Sequence, residues 1–131
     1  MVKEGLHILP TDTTPEIILN PEGIIKIKGR ALVVNKTEVP EQIMIWIDNY
    51  LIDPPETTYV IIAFEYLSSY STTILISIHK SLSKVKQQSK ELVVQWHYEE
   101  DDEDIFERGE FISETYNIPI DFIMTNDIND L

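Results

Sequence analysis

The sequence has 131 residues, of which 43% are hydrophobic, and this is enough for one domain with a buried core. Because the chain has no cysteine, it cannot form disulfides, thiolate metal sites or cysteine nucleophiles. Ten basic against 23 acidic residues give a formal net charge of −13, which repels nucleic-acid phosphates and anionic lipids and disfavours both as partners.

The apolar runs are short. Runs such as Ile43–Ile47 have only about five residues, far below the ~18 that a membrane-spanning helix needs. Residues Met1–Gly5 lack the apolar stretch of a signal peptide. We therefore expect a single domain over residues 1–131 that lies in the cytoplasm and does not insert into a membrane.

The first half predicts strands over 5–10 and 16–19, separated by a turn, and a third strand over 23–29 with one face in water. Pro40 and Glu41 suit the first turn of a helix, where proline loses no hydrogen bond and an acid faces the positive end of the dipole. Helical spacing then places one apolar stripe on that helix, namely Ile43, Trp46, Ile47, Tyr50 and Leu51.

The second half alternates strands and helices. Strands are predicted over 57–66, 91–98 and 119–124, with Val60–Phe64 covered on both faces, and residues 125–131 are expected to fray. One helix runs from near residue 70 to about Gln88, and its buried face comprises Ile74, Leu75, Ile78, Leu82 and Val85. The apolar face of a later helix comprises Ile105, Ile112 and Tyr116. This order predicts an α/β domain, with a mixed central sheet packed against helices and Trp46 largely buried.

A serine and threonine cluster at 68–73 lies where a buried strand ends and a helix begins. Backbone N–H groups at a helix start have no intrahelical acceptor, so they and the macrodipole stabilise an anion there. A hydroxyl at this point can accept a phosphate that the fold tolerates and that changes the surface. The alternative is ordinary N-capping, which serine and threonine perform often.

The acidic run Glu99–Asp104 allows a metal hypothesis, since hard cations bind carboxylates, but it lacks the alternation and glycine of a calcium loop. An acidic helix start is the simpler interpretation. His7, His79 and His97 have no metal-type spacing; His79 is expected on the wet face of its helix and His97 on the sheet surface. We find no catalytic constellation and no cofactor or metal motif, which favours a binding or regulatory module over an enzyme.

The chain resembles the SiaC family of bacterial regulatory phosphoproteins over about residues 7–124. The strongest match is the aromatic and acidic segment Trp96–Asp104, followed by Gly109-Glu110. Thr14–Ile17 matches an N-terminal Thr-Pro signature, and Gly29 stands 17 residues before Trp46 as in the family. Tyr66-Leu67 opens the segment that in the family continues Asn-Thr-Ser-Ser and here reads Ser68-Ser69-Tyr70-Ser71.

This resemblance implies a STAS-like fold, of the anti-sigma-factor-antagonist type, and a switch by reversible phosphorylation. It implies a dedicated protein kinase, a PP2C-type phosphatase and an output partner such as a diguanylate cyclase, bound by the unphosphorylated form. Carried over by position, the phosphoacceptor is Ser69, with Ser68 and Ser71 as alternatives. The implied partner-binding residues are Tyr66, Leu67, Ser68, Ser69, Tyr70, Ser71 and Thr72. The alternative function is a small ion-binding protein or enzyme that uses the carboxylates of 99–104.

Overall fold

The structure, a computed structural model, describes residues 4–32 and 38–131, with the side chain of Glu38 left out. Within these residues it contains six strands: β1 Leu6–Ile8, β2 Glu16–Asn20, β3 Ile24–Ala31, β4 Thr57–Leu67, β5 Glu91–Glu99 and β6 Asp121–Thr125. The α-helices of the same residues are α1 Glu38–Tyr50, α2 Ser69–Leu82 and α3 Glu103–Thr115. Two 3₁₀ segments, Ser83–Gln88 and Ile128–Asp130, follow α2 and β6.

The six strands form one sheet in the order β1-β2-β3-β4-β5-β6. β1, β2 and β3 pair antiparallel, whereas β3, β4, β5 and β6 pair parallel, each parallel connection carrying one helix. The predicted α/β class with a mixed sheet is confirmed, and β4 lies between β3 and β5 as the predicted buried strand. The third strand, predicted over 23–29, continues to Ala31.

The helices cover one face of the sheet, and the core lies between them. Inward positions alternate along the strands, as period two requires. The fully buried members of this layer include Leu19, Ile25, Ile47, Tyr50, Leu82 and Trp96. Leu75, Ile78, Leu82 and Val85 are buried as predicted, whereas Ile74 and Trp46 are half-buried. Trp46 stays near the surface because its indole Nε1 donates to the carbonyl of Glu4, 2.7 Å away.

The opposite face of the sheet is crossed by the C-terminal segment, so the expectation that residues 125–131 fray is wrong. The 3₁₀ turn Ile128–Asp130 lies across β3, β4 and β5, and the side chain of Ile128 is 3% exposed. Its amide donates to Glu99 Oε2 at 3.0 Å, and Lys28 Nζ donates to the carbonyls of Asn129 and Leu131. Burial of Ile128 and these hydrogen bonds hold the segment on the sheet.

α3 packs closely on β5 because it carries a glycine at the contact. A Cβ atom on Gly109 would lie 2.8 Å from both Trp96 and Phe122, so no other residue fits without displacement. Ile105 and Ile112 are buried as predicted. Tyr116, predicted to share that face, is 45% exposed because it lies beyond the end of α3, at its C-cap.

Candidate functional site

The segment between β4 and α2, which we call the switch loop and define as residues 66–72, lies at the carboxyl end of the central strand. The Ser68 amide donates to the carbonyl of Ala31 at the end of β3, 2.8 Å away. The preceding carbonyl, that of Leu67, accepts a hydrogen bond from Arg108 Nη1 of α3 at 2.8 Å. The loop is therefore held from two sides, by β3 and by α3.

The hydroxyl of Ser68 caps α2 and is hydrogen-bonded to the hydroxyl of Ser71. Ser68 is the N-cap residue with an extended backbone, and its Oγ accepts from the Ser71 amide at 3.1 Å. The same Oγ donates to Ser71 Oγ at 3.0 Å, and Thr72 Oγ1 donates to the Ser68 carbonyl at 2.9 Å. Ser68, Ser71 and Thr72 are all half-buried. These three hydroxyls stabilise the helix start.

Ser69 differs from its neighbours because its hydroxyl is exposed and makes no hydrogen bond to any residue that the structure describes. It is the first residue of α2, one position after the cap. The amides of the first helical turn have no acceptor within the helix, apart from the one that Ser68 caps. An anion on Ser69 would therefore meet free amide donors and the positive end of the helix dipole.

Two exposed tyrosines lie on either side of this serine. Tyr66 is 46% exposed and Tyr70 is 48% exposed. The side chain of Leu67, one of the residues predicted to bind a partner, is instead 1% exposed and belongs to the core. The pairing of β4 with β3 skips one β4 residue after Phe64, and this irregularity shifts the alternation so that Leu67 points inward and Tyr66 outward. The accessible part of the switch loop is thus Tyr66, Ser69 and Tyr70.

An apolar cavity of about 450 Å³ adjoins the switch loop between the helices and the sheet. Ser71 lines it from the loop, and further lining residues include Ile17, Ile27, Ile43, Phe64, Ile74 and Ile78. The half-buried hydroxyl of Ser71 thus faces an apolar surface, whereas Ser69 faces solvent.

The acidic run does not converge on a common point. Glu99 Oε2 accepts from the Ile128 amide, and Asp102 Oδ1 caps α3 by accepting from the Ile105 amide at 3.1 Å. Asp104 pairs with Arg108, with 3.2 Å between Oδ2 and Nε. No group of three or more His, Asp or Glu side chains in residues 4–32 and 38–131 is arranged to hold a metal ion. The interpretation of the run as a helix start fits these contacts, and the ion-binding alternative gains no support from them.

The histidines are separate from one another. His7 Nε2 lies 2.9 Å from Glu16, and His79 Nε2 lies 3.1 Å from Ser83 Oγ. His79, expected on the wet face, is half-buried, and burial lowers its pKa, as does the charge of Lys86. His97, expected on the sheet surface, is 9% exposed, and its Nδ1 has no hydrogen-bond partner among the described residues. This burial could not be predicted from local patterns, because the C-terminal segment contacts β5 from that face of the sheet.

Arg108 is a site residue that the sequence motifs did not indicate. It is the one basic residue after Lys90, in a stretch with 13 acidic residues, and this isolation was the available signal. Its contact with Leu67 spans 41 positions and could not be read from local patterns. Within the described part of the chain, no helix combines the length and the hydropathy that spanning a membrane would require.

Comparison with known proteins supports one assignment. A curated relative, an uncharacterized protein of Pseudomonas aeruginosa (strain UCBPP-PA14), is 25% identical over 115 residues, 87% of this chain and 91% of that protein. The fold matches a chain of the crystal structure of the diguanylate cyclase SiaD in complex with its activator SiaC from P. aeruginosa, with a TM-score of 0.82 and 24% identity over 92% of this chain and 99% of that one. It also matches apo-SiaC from P. aeruginosa, with a TM-score of 0.77 and 24% identity over 93% of this chain and 98% of that one. The model of the SiaC family of regulatory phosphoproteins matches residues 8–125, and the chain therefore belongs to that family.

Proposed function

We propose that this protein is a non-catalytic signalling module switched by reversible phosphorylation of Ser69. The observation that carries the proposal is the difference between Ser69 and its neighbours. Its hydroxyl is exposed and unengaged among the described residues, whereas Ser68 Oγ caps α2 and donates to Ser71 Oγ. A kinase can reach Ser69 without breaking the cap, whereas modifying Ser68 would break it, and Ser71 is half-buried beside the apolar cavity.

A phosphate on Ser69 leaves the fold intact. It adds roughly −1.5 to −2 charge at neutral pH, at the first position of α2. The free amides and the dipole of α2 stabilise this charge, and the exposed position avoids a desolvation cost. The modification therefore acts on what the surface can bind.

The exposed tyrosines supply the binding surface. Aromatic side chains carry a large share of the binding energy at protein interfaces, and Tyr66 and Tyr70 lie on either side of Ser69. A partner that covers Tyr66–Thr72 in the unphosphorylated form would have to desolvate a phosphate at the centre of the contact. A loss of about 2–3 kcal/mol from this cost corresponds to a ~30–150-fold weaker complex.

The proposed partners follow from the family. They are a dedicated kinase, a PP2C-type phosphatase and an output enzyme such as a diguanylate cyclase, the class of protein that SiaC accompanies in the similar structure. The net charge of −13 favours partners with a positive docking surface and makes association dependent on salt. We place the switch in the cytoplasm with these partners.

The test begins with the protein purified from its own host, in which mass spectrometry identifies the modified residue and its occupancy. We expect phosphate on Ser69 and none on Ser69→Ala. If Ser69→Ala is phosphorylated to the same extent as wild type, with the phosphate on Ser68 or Ser71, the assignment is wrong. Wild type treated with a phosphatase should bind the diguanylate cyclase of the same host as tightly as Ser69→Ala does.

Two further variants complete the binding experiment. Ser69→Asp should bind the cyclase more weakly than Ser69→Ala, although one carboxylate imitates a phosphate incompletely. Thr73→Ala is the matched control, since Thr73 is also exposed but lies one turn further along α2. If Ser69→Asp and Ser69→Ala bind equally, the switch loop does not control this partner.

A further inference from the structure

Arg108 joins α3 to the switch loop. Its Nη1 donates to the carbonyl of Leu67 at 2.8 Å, and its Nε lies 3.2 Å from Asp104 Oδ2 one turn earlier on the same helix. The side chain is 36% exposed, so the guanidinium lies at the surface, next to the loop. Leu67 precedes Ser69 by two residues, which places their Cα atoms at most about 7 Å apart.

The guanidinium of Arg108 has N–H donors beyond those used in these two contacts. Of its five N–H groups, Nε–H points to Asp104 and one Nη1–H to Leu67, which leaves three without a partner in these contacts. Planar guanidinium groups bind phosphate oxygens with two parallel hydrogen bonds, which an ammonium group does not do. Arg108 is also the sole lysine or arginine of residues 91–131.

We propose that Arg108 binds the phosphate on Ser69, so that phosphorylation links the start of α2 to α3. The inference rests on the proposed function, because it needs a phosphate at that residue. Nη2 and the free Nη1–H turn toward the phosphate while the Leu67 hydrogen bond keeps the guanidinium beside the loop.

The phosphate competes for Arg108 with Asp104. The Asp104 side chain is 72% exposed and carries one charge, whereas phosphoserine carries roughly −1.5 to −2. An exposed carboxylate four residues away on a helix is a weak partner, so the phosphate wins. Asp104 lies in the first turn of α3. Its release from Arg108 leaves the acidic run at that end of the helix with one more unpaired carboxylate, so phosphorylation of Ser69 also changes that surface.

The experiment uses the full chain with phosphoserine incorporated genetically at position 69, which needs no kinase. A titration followed by ³¹P NMR reports the second pKa of the phosphate, which is about 6 for a free phosphoserine. With Arg108 present we expect a midpoint below 6. In Arg108→Gln we expect it to rise by at least half a pH unit, which is about a threefold change in proton affinity.

Two variants make the readout specific. Lys84→Gln removes one positive charge from an exposed position in the 3₁₀ segment after α2, and we expect it to leave the midpoint unchanged. Arg108→Lys keeps the charge and should give an intermediate midpoint, and it serves as the test if Arg108→Gln does not fold. Equal midpoints in wild type and in the Arg108 variants would overturn the inference. Absence of phosphate on Ser69 in the host would instead refute the proposed function, because the titration does not depend on the kinase.

Discussion

Gly109 of α3 lies directly against the indole of Trp96, so close that a Cβ atom on this glycine would be 2.8 Å from Nε1 and Cε2. The same Nε1 donates to the carbonyl of Ile105 at 3.1 Å, so the fully buried Trp96 meets α3 at two successive turns. This contact sets how deeply α3 lies on β5. It thereby fixes the position of Arg108, the residue next to the glycine, relative to the switch loop.

We expect Gly109→Ala to destabilise the protein. Alanine gains about 1 kcal/mol of helix propensity over glycine, but overpacking a rigid core costs about 1–3 kcal/mol. Because the added methyl would meet the rings of both Trp96 and Phe122, the cost exceeds the gain, and the free energy of unfolding should fall by up to about 2 kcal/mol. Urea denaturation measures this change in the free energy of unfolding. Glu110→Ala, an exposed neighbour on the same helix, should change stability by less than about 0.5 kcal/mol, and an equal loss in both would contradict the packing argument.

The acidic run allows a comparison of two adjacent residues. Asp102 caps α3 through its bond to the Ile105 amide, whereas Asp101 is exposed in the preceding turn. Asp102→Ala should therefore cost about 1 kcal/mol, and Asp101→Ala less than about 0.5 kcal/mol. Since asparagine also caps helices, changing both to Asn should cost under about 1 kcal/mol. Unfolding curves with and without a chelator should coincide, and a metal-dependent midpoint would restore the ion-binding hypothesis.

The burial of His97 should make the free energy of unfolding depend on pH. Burial lowers its pKa from 6.5, and the charge of Lys26 lowers it further. As the pH falls below 6.5, the unfolded chain binds a proton that the folded chain refuses, so this residue makes stability decrease toward acid. The free energy of unfolding of wild type should therefore fall more between pH 7.5 and about 5.5 than that of His97→Gln, as measured by urea denaturation. Identical pH slopes in the two proteins would contradict the burial of His97 in its neutral form.

The sequence predicted well those features that depend on neighbours along the chain. The serine cluster indicated the start of α2, because a cap and its amide lie only three residues apart, as Ser68 and Ser71 do. The continuous apolar run of β4 and the helical stripe of α1 are likewise local patterns. These elements, and the position of Ser69 at a helix start, therefore needed no knowledge of the tertiary structure.

The features it missed depend on contacts between distant segments. Arg108 reaches the switch loop across 41 positions, and the indole of Trp46 is drawn toward the surface by the carbonyl of Glu4, 42 positions away. His97 is buried because a polar C-terminal segment returns to the sheet, which its composition did not indicate. A hydrophobicity pattern indicates on which face of a strand or helix a residue lies, but not which distant segment covers that face.

The C-terminal segment itself gives the last prediction. The side chain of Ile128 is 3% exposed against the face of the sheet that the helices leave open, whereas its neighbour Asn129 is exposed. Ile128→Ala removes buried methyl and methylene groups and should lower the free energy of unfolding by about 2–4 kcal/mol. Asn129→Ala should cost under about 0.5 kcal/mol, because its side chain points to solvent and the backbone bonds to the segment are kept. In Ile128→Ala, hydrogen exchange should also accelerate at the outward-facing residues of β4 and β5 next to the segment. Unchanged stability and exchange would mean that residues 126–131 lie loosely on the sheet and that His97 owes its burial to the strands alone.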